Sequence, residues 1–82
     1  MNQEAVERRP ATKLLLTATE AAKLCGKSLR TWRSWDAAAR VPRPIRIARS
    51  LLWRADELRA WVAEGCPCRE VWERRAKHRF SP

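Results

Sequence analysis

The 82-residue chain has 18 basic and 9 acidic residues, a formal net charge of +9, and 45% hydrophobic residues, among them five tryptophans. This length allows one domain, whose core is too small to enclose a roomy active-site cleft. The composition favours a globular fold with an aromatic core and excludes a transmembrane protein, because no apolar run approaches the roughly 20 residues of a membrane span.

The first predicted element is a short helix that follows a polar tail. Residues 1–13 show no hydrophobic period and are predicted to be flexible. Thr17 and Glu20 have the spacing of a capping box, which predicts a helix over residues 18–25. Gly26 can take the left-handed conformation that ends a helix. Four residues of this helix are available for burial: Ala21, Ala22, Leu24 and Cys25.

A second helix is predicted to begin directly after Ser28, which can cap its first turn. Projection at about 100° per residue places two sets of residues on opposite faces of this helix. One face carries Trp32, Trp35 and Ala39, with Leu29 at its border, and the opposite face carries Arg30, Arg33, Ser34 and Ala37. We expect the tryptophans to anchor this helix to the first one and the arginines to be exposed.

A β-hairpin is predicted after the prolines at positions 42 and 44, which end the second helix. Residues 45–47 alternate between apolar and basic side chains, residues 48–50 can form the turn, and residues 51–53 form the second strand. The hairpin carries Arg46, Arg49 and Arg54.

Two further helices are predicted in the C-terminal third. Asp56 and Glu57 favour a helix start, Gly65 favours its end, and the predicted core face is Leu58, Trp61 and Val62. The fourth helix is expected to have Pro67 in its first turn, to continue through Glu70, Val71 and Trp72, and to run into a basic end over residues 74–79.

The positive charge is concentrated in the middle of the chain. The segment from Lys27 to Arg54 contains eight basic residues against a single acid, Asp36. A basic surface that only maintains solubility would mix the two signs more evenly. Concentrated positive charge is typical of proteins that bind a polyanion, most often nucleic acid.

The order of elements predicts a mainly α fold with a small β-hairpin, that is, a winged helix-turn-helix. Four segments, L14-L-L-T-A-T-E-A-A, S28-L-R-T-W-R-S-W, R40-V-P-R-P-I-R-I and L52-W-R-A-D-E-L-R-A-W, make residues 14–65 resemble the excisionase and AlpA-like regulators. The DNA-binding domain of these regulators is similar to the N-terminal domain of the MerR family. The resemblance implies that the second helix enters the major groove and that the hairpin wing lies along the adjacent minor groove or backbone. Residues 66–82 would add a short C-terminal helix and a basic tail.

This chain departs from the family pattern at two positions. Lys27 stands where the family usually has an apolar residue, and Ala39 stands where it often has glycine. Neither change removes the basic face of the second helix.

Ten residues are the candidates for DNA contact: Lys27, Arg30, Thr31, Arg33, Ser34, Arg40, Arg43, Arg46, Arg49 and Arg54. An arginine can read guanine with two hydrogen bonds or can clamp a phosphate, and the sequence leaves both roles open. The simpler alternatives are solvated charges on a helix face and edge-strand charges that prevent aggregation. The tryptophans could stack on bases, but their periodicity favours the core.

The sequence favours neither an enzyme nor a metal protein. It has a single histidine, no glycine-rich phosphate loop and no nucleophile beside an evident base, so we expect no catalytic site and no cofactor. The three cysteines are expected to be reduced thiols. Cys66 and Cys68 with His78 could contribute to a zinc site, but such a site needs four ligands in paired spacings, which favours small apolar residues at a helix entry instead.

The sequence therefore predicts a cytoplasmic, nucleoid-associated protein that binds double-stranded DNA sequence-specifically. It would act as an excision factor beside an integrase or as an AlpA-like transcriptional regulator, binding as a dimer or as monomers that associate on DNA. Two alternatives stay open at this point. One is a basic RNA-binding protein, and the other is a protein-interaction adaptor in which the charge is incidental.

Overall fold

The computed structural model describes residues 13–77 of the chain. The elements in chain order are β1 Leu15–Leu16, α1 Ala18–Leu24, α2 Leu29–Ala37, β2 Ile45–Ile47, β3 Ser50–Arg54, α3 Ala55–Ala63 and α4 Arg69–Ala76. The described part thus combines four helices with a three-stranded antiparallel sheet of order β1-β3-β2. None of these helices has the length and apolar character needed to cross a membrane. The predicted N-terminal tail, except Lys13, and the end of the predicted basic cluster lie outside the described residues.

The capping box that opens α1 is confirmed. The hydroxyl of Thr17 accepts a hydrogen bond from the Glu20 amide (3.2 Å), and the Glu20 carboxylate accepts one from the Thr17 amide (3.0 Å). Lys13 also donates to the Glu20 carboxylate. These hydrogen bonds hold the pKa of Glu20 below its ordinary value, and the bond from Lys13 contributes most.

The tight turn between α1 and α2 is also confirmed. Gly26 has φ +73°, the left-handed region that glycine adopts without steric cost. The amides of Lys27 and Gly26 donate to the carbonyls of Ala22 (2.8 Å) and Lys23 (3.0 Å), which closes the end of α1 one residue earlier than predicted. Ser28 caps α2 as expected, because its hydroxyl accepts from the Thr31 amide.

Tryptophan rings form the centre of the core. Trp32 is 0% exposed, and its ring meets those of Trp53 at 5.6 Å and Trp61 at 6.3 Å, both edge to face. Eleven of the described residues form one continuous buried cluster: Leu16, Ala21, Ala22, Trp32, Val41, Trp53, Ala55, Leu58, Trp61, Trp72 and Ala76. Because this cluster includes Trp72 and Ala76 of α4, the C-terminal helix shares the core of residues 14–65.

Most of the buried indole N–H groups have hydrogen-bond partners. Trp53 donates to the carbonyl of Pro42, and Trp61 donates to that of Pro67, each at 2.8 Å. The indole of Trp72 donates to the Glu57 carboxylate, also at 2.8 Å. The Trp32 N–H has no partner among the described residues, so burial rather than hydrogen bonding holds this ring in place.

Five residues that were predicted to be buried are not fully buried. Trp35 and Cys25 are half-buried at the edge of the core, whereas Leu24 and Val62 are exposed. Ala39 is exposed because α2 ends at Ala37 and the chain then leaves the helix axis. Helical periodicity predicted on which face of the helix these residues lie. It did not predict how far along the helix other elements cover that face.

One strand was not predicted, and one helix start was misplaced. The two residues of β1 pair with Arg54 and Trp53 of β3, which turns the predicted hairpin into a three-stranded sheet. In α4 the N-cap is Cys68, so Pro67 precedes the helix and does not lie in its first turn. The predicted end of α3 is confirmed by Gly65, which has φ +90°.

The central position of Trp32 leads to a stability prediction. We expect Trp32→Ala to lower the free energy of unfolding by about 3–5 kcal/mol, because it removes the ring that three other tryptophans contact. The matched control is Trp35→Ala, which should cost about half as much because this ring is only half-buried. Urea denaturation of both variants provides the measurement, and an equal loss in the two would contradict the described core.

A second stability prediction concerns the end of α2, where Ala39 has φ +58°. This left-handed conformation is unfavourable for alanine, so we expect Ala39→Gly to raise the free energy of unfolding by about 0.5–1 kcal/mol. Ala37→Gly, two residues earlier at the last residue of α2, should lower it by at most about 0.5–1 kcal/mol, because glycine disfavours the helical conformation. Thermal or urea unfolding provides the measurement. Destabilisation by both substitutions would contradict a left-handed residue at this helix end.

Candidate nucleic-acid interface

The outer face of α2 carries two arginines that have no partner among the described residues. Arg30 and Arg33 are exposed, one turn apart, and form no hydrogen bond or ion pair with any other residue of 13–77. Ser34 is exposed beside them, while Thr31 is half-buried, and its hydroxyl accepts a hydrogen bond from the Ser28 hydroxyl at 3.1 Å. The predicted division of α2 into a tryptophan face and an arginine face is thus confirmed for Trp32, Arg30 and Arg33.

A concave surface lies between α2 and the β2–β3 hairpin. This α2–hairpin cleft has a volume of about 380 Å³, and both Arg33 of α2 and Arg49 of the hairpin turn line it. The hydroxyl-bearing residues Thr17, Thr19 and Ser50 also lie in its wall. Two arginines from different elements therefore share one surface with side chains that can donate hydrogen bonds to phosphate.

Among the described residues, the only acid that lines the α2–hairpin cleft is Asp36, and α4 supplies its counter-ion. The guanidinium of Arg69 lies 2.6 Å from the Asp36 carboxylate and also donates to the carbonyl of Val41 at 3.0 Å. The backbone amide of Arg69 donates to the carbonyl of Ala39 at 3.0 Å. Since both side chains are partly buried, 15% and 28% exposed, the pair is held firmly and the field in the cleft stays positive.

Arg69 is the important residue that sequence reasoning did not single out. Arg69 and Asp36 are too far apart in the sequence for a local pattern to indicate that they pair. One weak signal exists, because a cation in the first turn of a helix opposes the helix dipole and therefore suggests a compensating acid elsewhere. The single acid within the basic segment is that partner.

The hairpin arginines do not all face the same way. Arg49 lies in the turn, where Ala48 adopts φ +55°. Arg46 pairs directly with Leu51, a residue that lines the cleft, and paired residues of adjacent strands share a face. Arg54 is adjacent to the buried Trp53 in β3 and, by alternation, lies on the opposite face. Arg54 is half-buried and has an interaction partner.

Three other predicted DNA contacts lie apart from the cleft wall. The guanidinium of Arg43 donates to the Glu73 carboxylate of α4 at 2.8 Å, and this hydrogen bond raises the pKa of Arg43. Lys27 lies over the ring of Trp35, 5.8 Å from its centroid, and Arg40 is exposed just after α2. Of the ten candidates, Arg33 and Arg49 are the two that line the α2–hairpin cleft.

The cysteines show no metal-site geometry in the described part of the chain. Cys25, Cys66 and Cys68 are free thiols, and no group of three or more metal-ligating residues occurs among residues 13–77. Burial raises the pKa of the Cys25 thiol, with a smaller contribution from Cys66. His78, the other candidate ligand, lies outside the described residues.

Comparison of the chain with protein-family models, curated proteins and solved structures finds no match. The resemblance to excisionase and AlpA-like regulators therefore stays a prediction from sequence motifs. A functional proposal for this chain depends on those motifs together with the geometry of the α2–hairpin cleft.

The ion pair beside the cleft leads to a test by double-mutant cycle. We expect Arg69→Met and Asp36→Asn each to destabilise the protein, with a coupling free energy of about 1–3 kcal/mol, because the pair is partly buried and hydrogen-bonded. The control cycle is Arg75→Met with Glu64→Gln, an exposed pair at 3.0 Å. The coupling free energy of this control pair should be at most about 0.2–1 kcal/mol, which is typical of exposed ion pairs. Equal coupling in the two cycles would show that Arg69 does not hold Asp36 firmly.

Proposed function

We propose that the chain is a sequence-specific double-stranded DNA-binding protein with a winged helix-turn-helix. In this proposal α2 enters the major groove and the β2–β3 hairpin contacts the adjacent backbone or minor groove. The observation that carries the proposal is the α2–hairpin cleft, which Arg33 and Arg49 both line and in which the only acid among the described lining residues is already paired with Arg69. A positive concave surface of this kind is suited to the phosphates that border a groove.

The size and packing of α2 support this mode of binding. An α-helix with its side chains is about 10–12 Å in diameter and fits a major groove about 12 Å wide, and the nine residues of α2 form a helix about 13 Å long that can lie in the groove. The buried residues of α1 are Ala21 and Ala22, and such small side chains allow α2 to pack closely against α1. The tight turn at Gly26 fixes the relative orientation of the two helices, so the arginines of α2 are presented on a rigid support.

The positions of the tryptophans favour duplex DNA over single-stranded RNA. Proteins that bind unpaired bases stack them on exposed aromatic rings. Here four tryptophans are buried and Trp35 is half-buried under Lys27. Residues 13–77 therefore offer no fully exposed aromatic ring for stacking, while they do offer a basic helix face.

The sequence resemblance narrows the proposal to two biological roles. An excisionase-like protein would bind beside an integrase and bend the DNA, and an AlpA-like protein would regulate a promoter. Both roles require the same cleft and no catalytic residue, and both place the protein in the cytoplasm on DNA. Association of several copies along the DNA is part of the proposal for either role.

The test of the proposal compares alanine variants of arginines on α2 and in the hairpin turn with a variant of an arginine on α3. We expect Arg33→Ala or Arg30→Ala to weaken binding to the specific site by about 1–3 kcal/mol and to relax preference at one base position. Arg49→Ala should weaken specific and random duplexes alike and reduce the slope of log affinity against log salt by roughly one. All three variants should keep wild-type stability within about 0.5 kcal/mol, because the side chains are exposed.

The matched control is Arg59→Ala, which removes the same charge from an exposed position on α3 that does not line the cleft. Its effect on duplex affinity should be several-fold smaller than that of Arg33→Ala. Fluorescence anisotropy at several salt concentrations, with site selection from a random duplex library, provides the measurement. If Arg59→Ala weakens binding as much as Arg33→Ala, or if single-stranded RNA competes better than duplex DNA, the proposal fails.

A further inference from the structure

A second and larger concave surface lies away from the α2–hairpin cleft. This groove, which we name the α1–α3 groove, has a volume of about 740 Å³ and is formed by the end of α1, by α2 and by α3. Leu24, Trp35, Trp61 and Val62 are among its lining residues. Within residues 13–77 it shares no lining residue with the α2–hairpin cleft, so both surfaces can be occupied at once.

The floor of the α1–α3 groove is apolar and open to solvent. Leu24 is 41% exposed and Val62 is 50% exposed. Each lies on the apolar face of its helix, the face that elsewhere in the helix is buried. The apolar faces of α1 and α3 thus extend beyond the core and into the groove. Cys25, in the same wall, contributes an uncharged thiol, because burial raises its pKa.

The rim of the α1–α3 groove is basic. Lys27, Arg40 and Arg59 line it, and none of the described acidic residues does. Arg40 and Arg59 are exposed and form no ion pair or hydrogen bond through their side chains with the rest of residues 13–77. An apolar floor with cations at its rim is complementary to a ligand that combines apolar groups with carboxylates.

We propose that the α1–α3 groove docks an acidic amphipathic helix of another protein. Apolar side chains spaced at i, i+3 or i+4 and i+7 would lie against Leu24, Trp35 and Val62. Carboxylates on the flanks of that helix would pair with Lys27, Arg40 and Arg59. The protein would then connect its partner to whatever the α2–hairpin cleft binds.

The charge and openness of the groove argue against other occupants. A second copy of this chain carries the same net charge of +9, so charge repulsion opposes self-association through this surface. A small-molecule site usually buries 70–90% or more of its ligand. Walls as exposed as Leu24 and Val62 do not enclose a small ligand, whereas an elongated helix can lie along them.

The test uses a synthetic helical peptide with leucines at i, i+3 and i+7 and glutamates along both flanks. A second peptide replaces the leucines by serines and keeps every charge. We expect the leucine peptide to bind the full chain at least about tenfold more tightly than the serine peptide in calorimetric titration, because the apolar anchors supply most of the affinity. Equal binding of both peptides would show only attraction to the net charge and would overturn the proposal.

Two variants with the same change of charge locate the binding site. Val62→Glu places a carboxylate in the groove and should weaken the leucine peptide at least about tenfold, since it both removes an apolar contact and repels the glutamates. Ile47→Glu is the matched control, because Ile47 is 49% exposed on β2 and lines neither concave surface. It should change the affinity by less than about twofold.

Two further measurements separate this proposal from its alternatives. Arg33→Ala, in the α2–hairpin cleft, should leave affinity for the leucine peptide within about twofold, whatever it does to DNA binding. The docking proposal therefore stands or falls independently of the DNA-binding proposal. Sedimentation should show that the wild-type chain stays monomeric without peptide. A dimer that Val62→Glu dissociates would mean that a second copy occupies the groove and would overturn the proposal.

Discussion

Burial of the Trp32 ring is the constraint on which the rest of the structure depends. This ring contacts Trp35 of the same helix, Trp53 of β3 and Trp61 of α3, so it joins α2, the sheet and α3. Its N–H has no hydrogen-bond partner among the described residues, which is unfavourable. Removal of so much apolar surface from water offsets that cost. Because Trp32 fixes the rotation of α2, it also determines that Arg30 and Arg33 face solvent.

A second long-range contact connects the C-terminal helix to the surface of α2. Arg69 at the start of α4 pairs with Asp36 and donates to the carbonyl of Val41. Trp72 from the next turn of α4 is buried in the common core. The C-terminal helix is thus both a part of the core and the source of the charge that neutralises Asp36 in the wall of the α2–hairpin cleft.

Local sequence signals predicted the elements that depend on local interactions. The capping box at Thr17 and Glu20 and the helix ends at Gly26 and Gly65 could be read directly, because each one is determined by residues within about four positions. The short strand β1 could not be read in this way. Two leucines show no alternation, and they form a strand only because β3 offers a free edge to pair with.

Fewer features of the candidate site than of the helices could be predicted from the sequence. The exposed arginines of α2 followed from its period, but the partners of Arg43 and Asp36 lie on α4, 30 and 33 residues away in sequence. No local pattern reports such pairs. The end of α2 was also predicted wrongly. Ala39 adopts a left-handed conformation there, and a glycine at this position would have indicated the helix end.

Two concave surfaces within residues 13–77 share no lining residue. The α2–hairpin cleft combines arginines with hydroxyl groups, and the α1–α3 groove combines an apolar floor with a basic rim. In the two proposals the first face binds DNA and the second recruits a protein. Because a chain of this size has a single small core, both surfaces border the tryptophan cluster: Trp35 and Trp61 line the groove, and Trp32 and Trp53 line the cleft.

An NMR titration of the isotopically labelled chain with a short DNA duplex would show directly whether α2 and the hairpin form the nucleic-acid interface. If they do, the largest amide shifts fall on Thr17, Thr19, Arg33, Arg49 and Ser50, which line the α2–hairpin cleft. Shifts at Leu24 and Val62, in the α1–α3 groove, should stay small. Shifts that are largest in that groove or along α4, with the cleft unaffected, would contradict DNA binding through α2 and the hairpin.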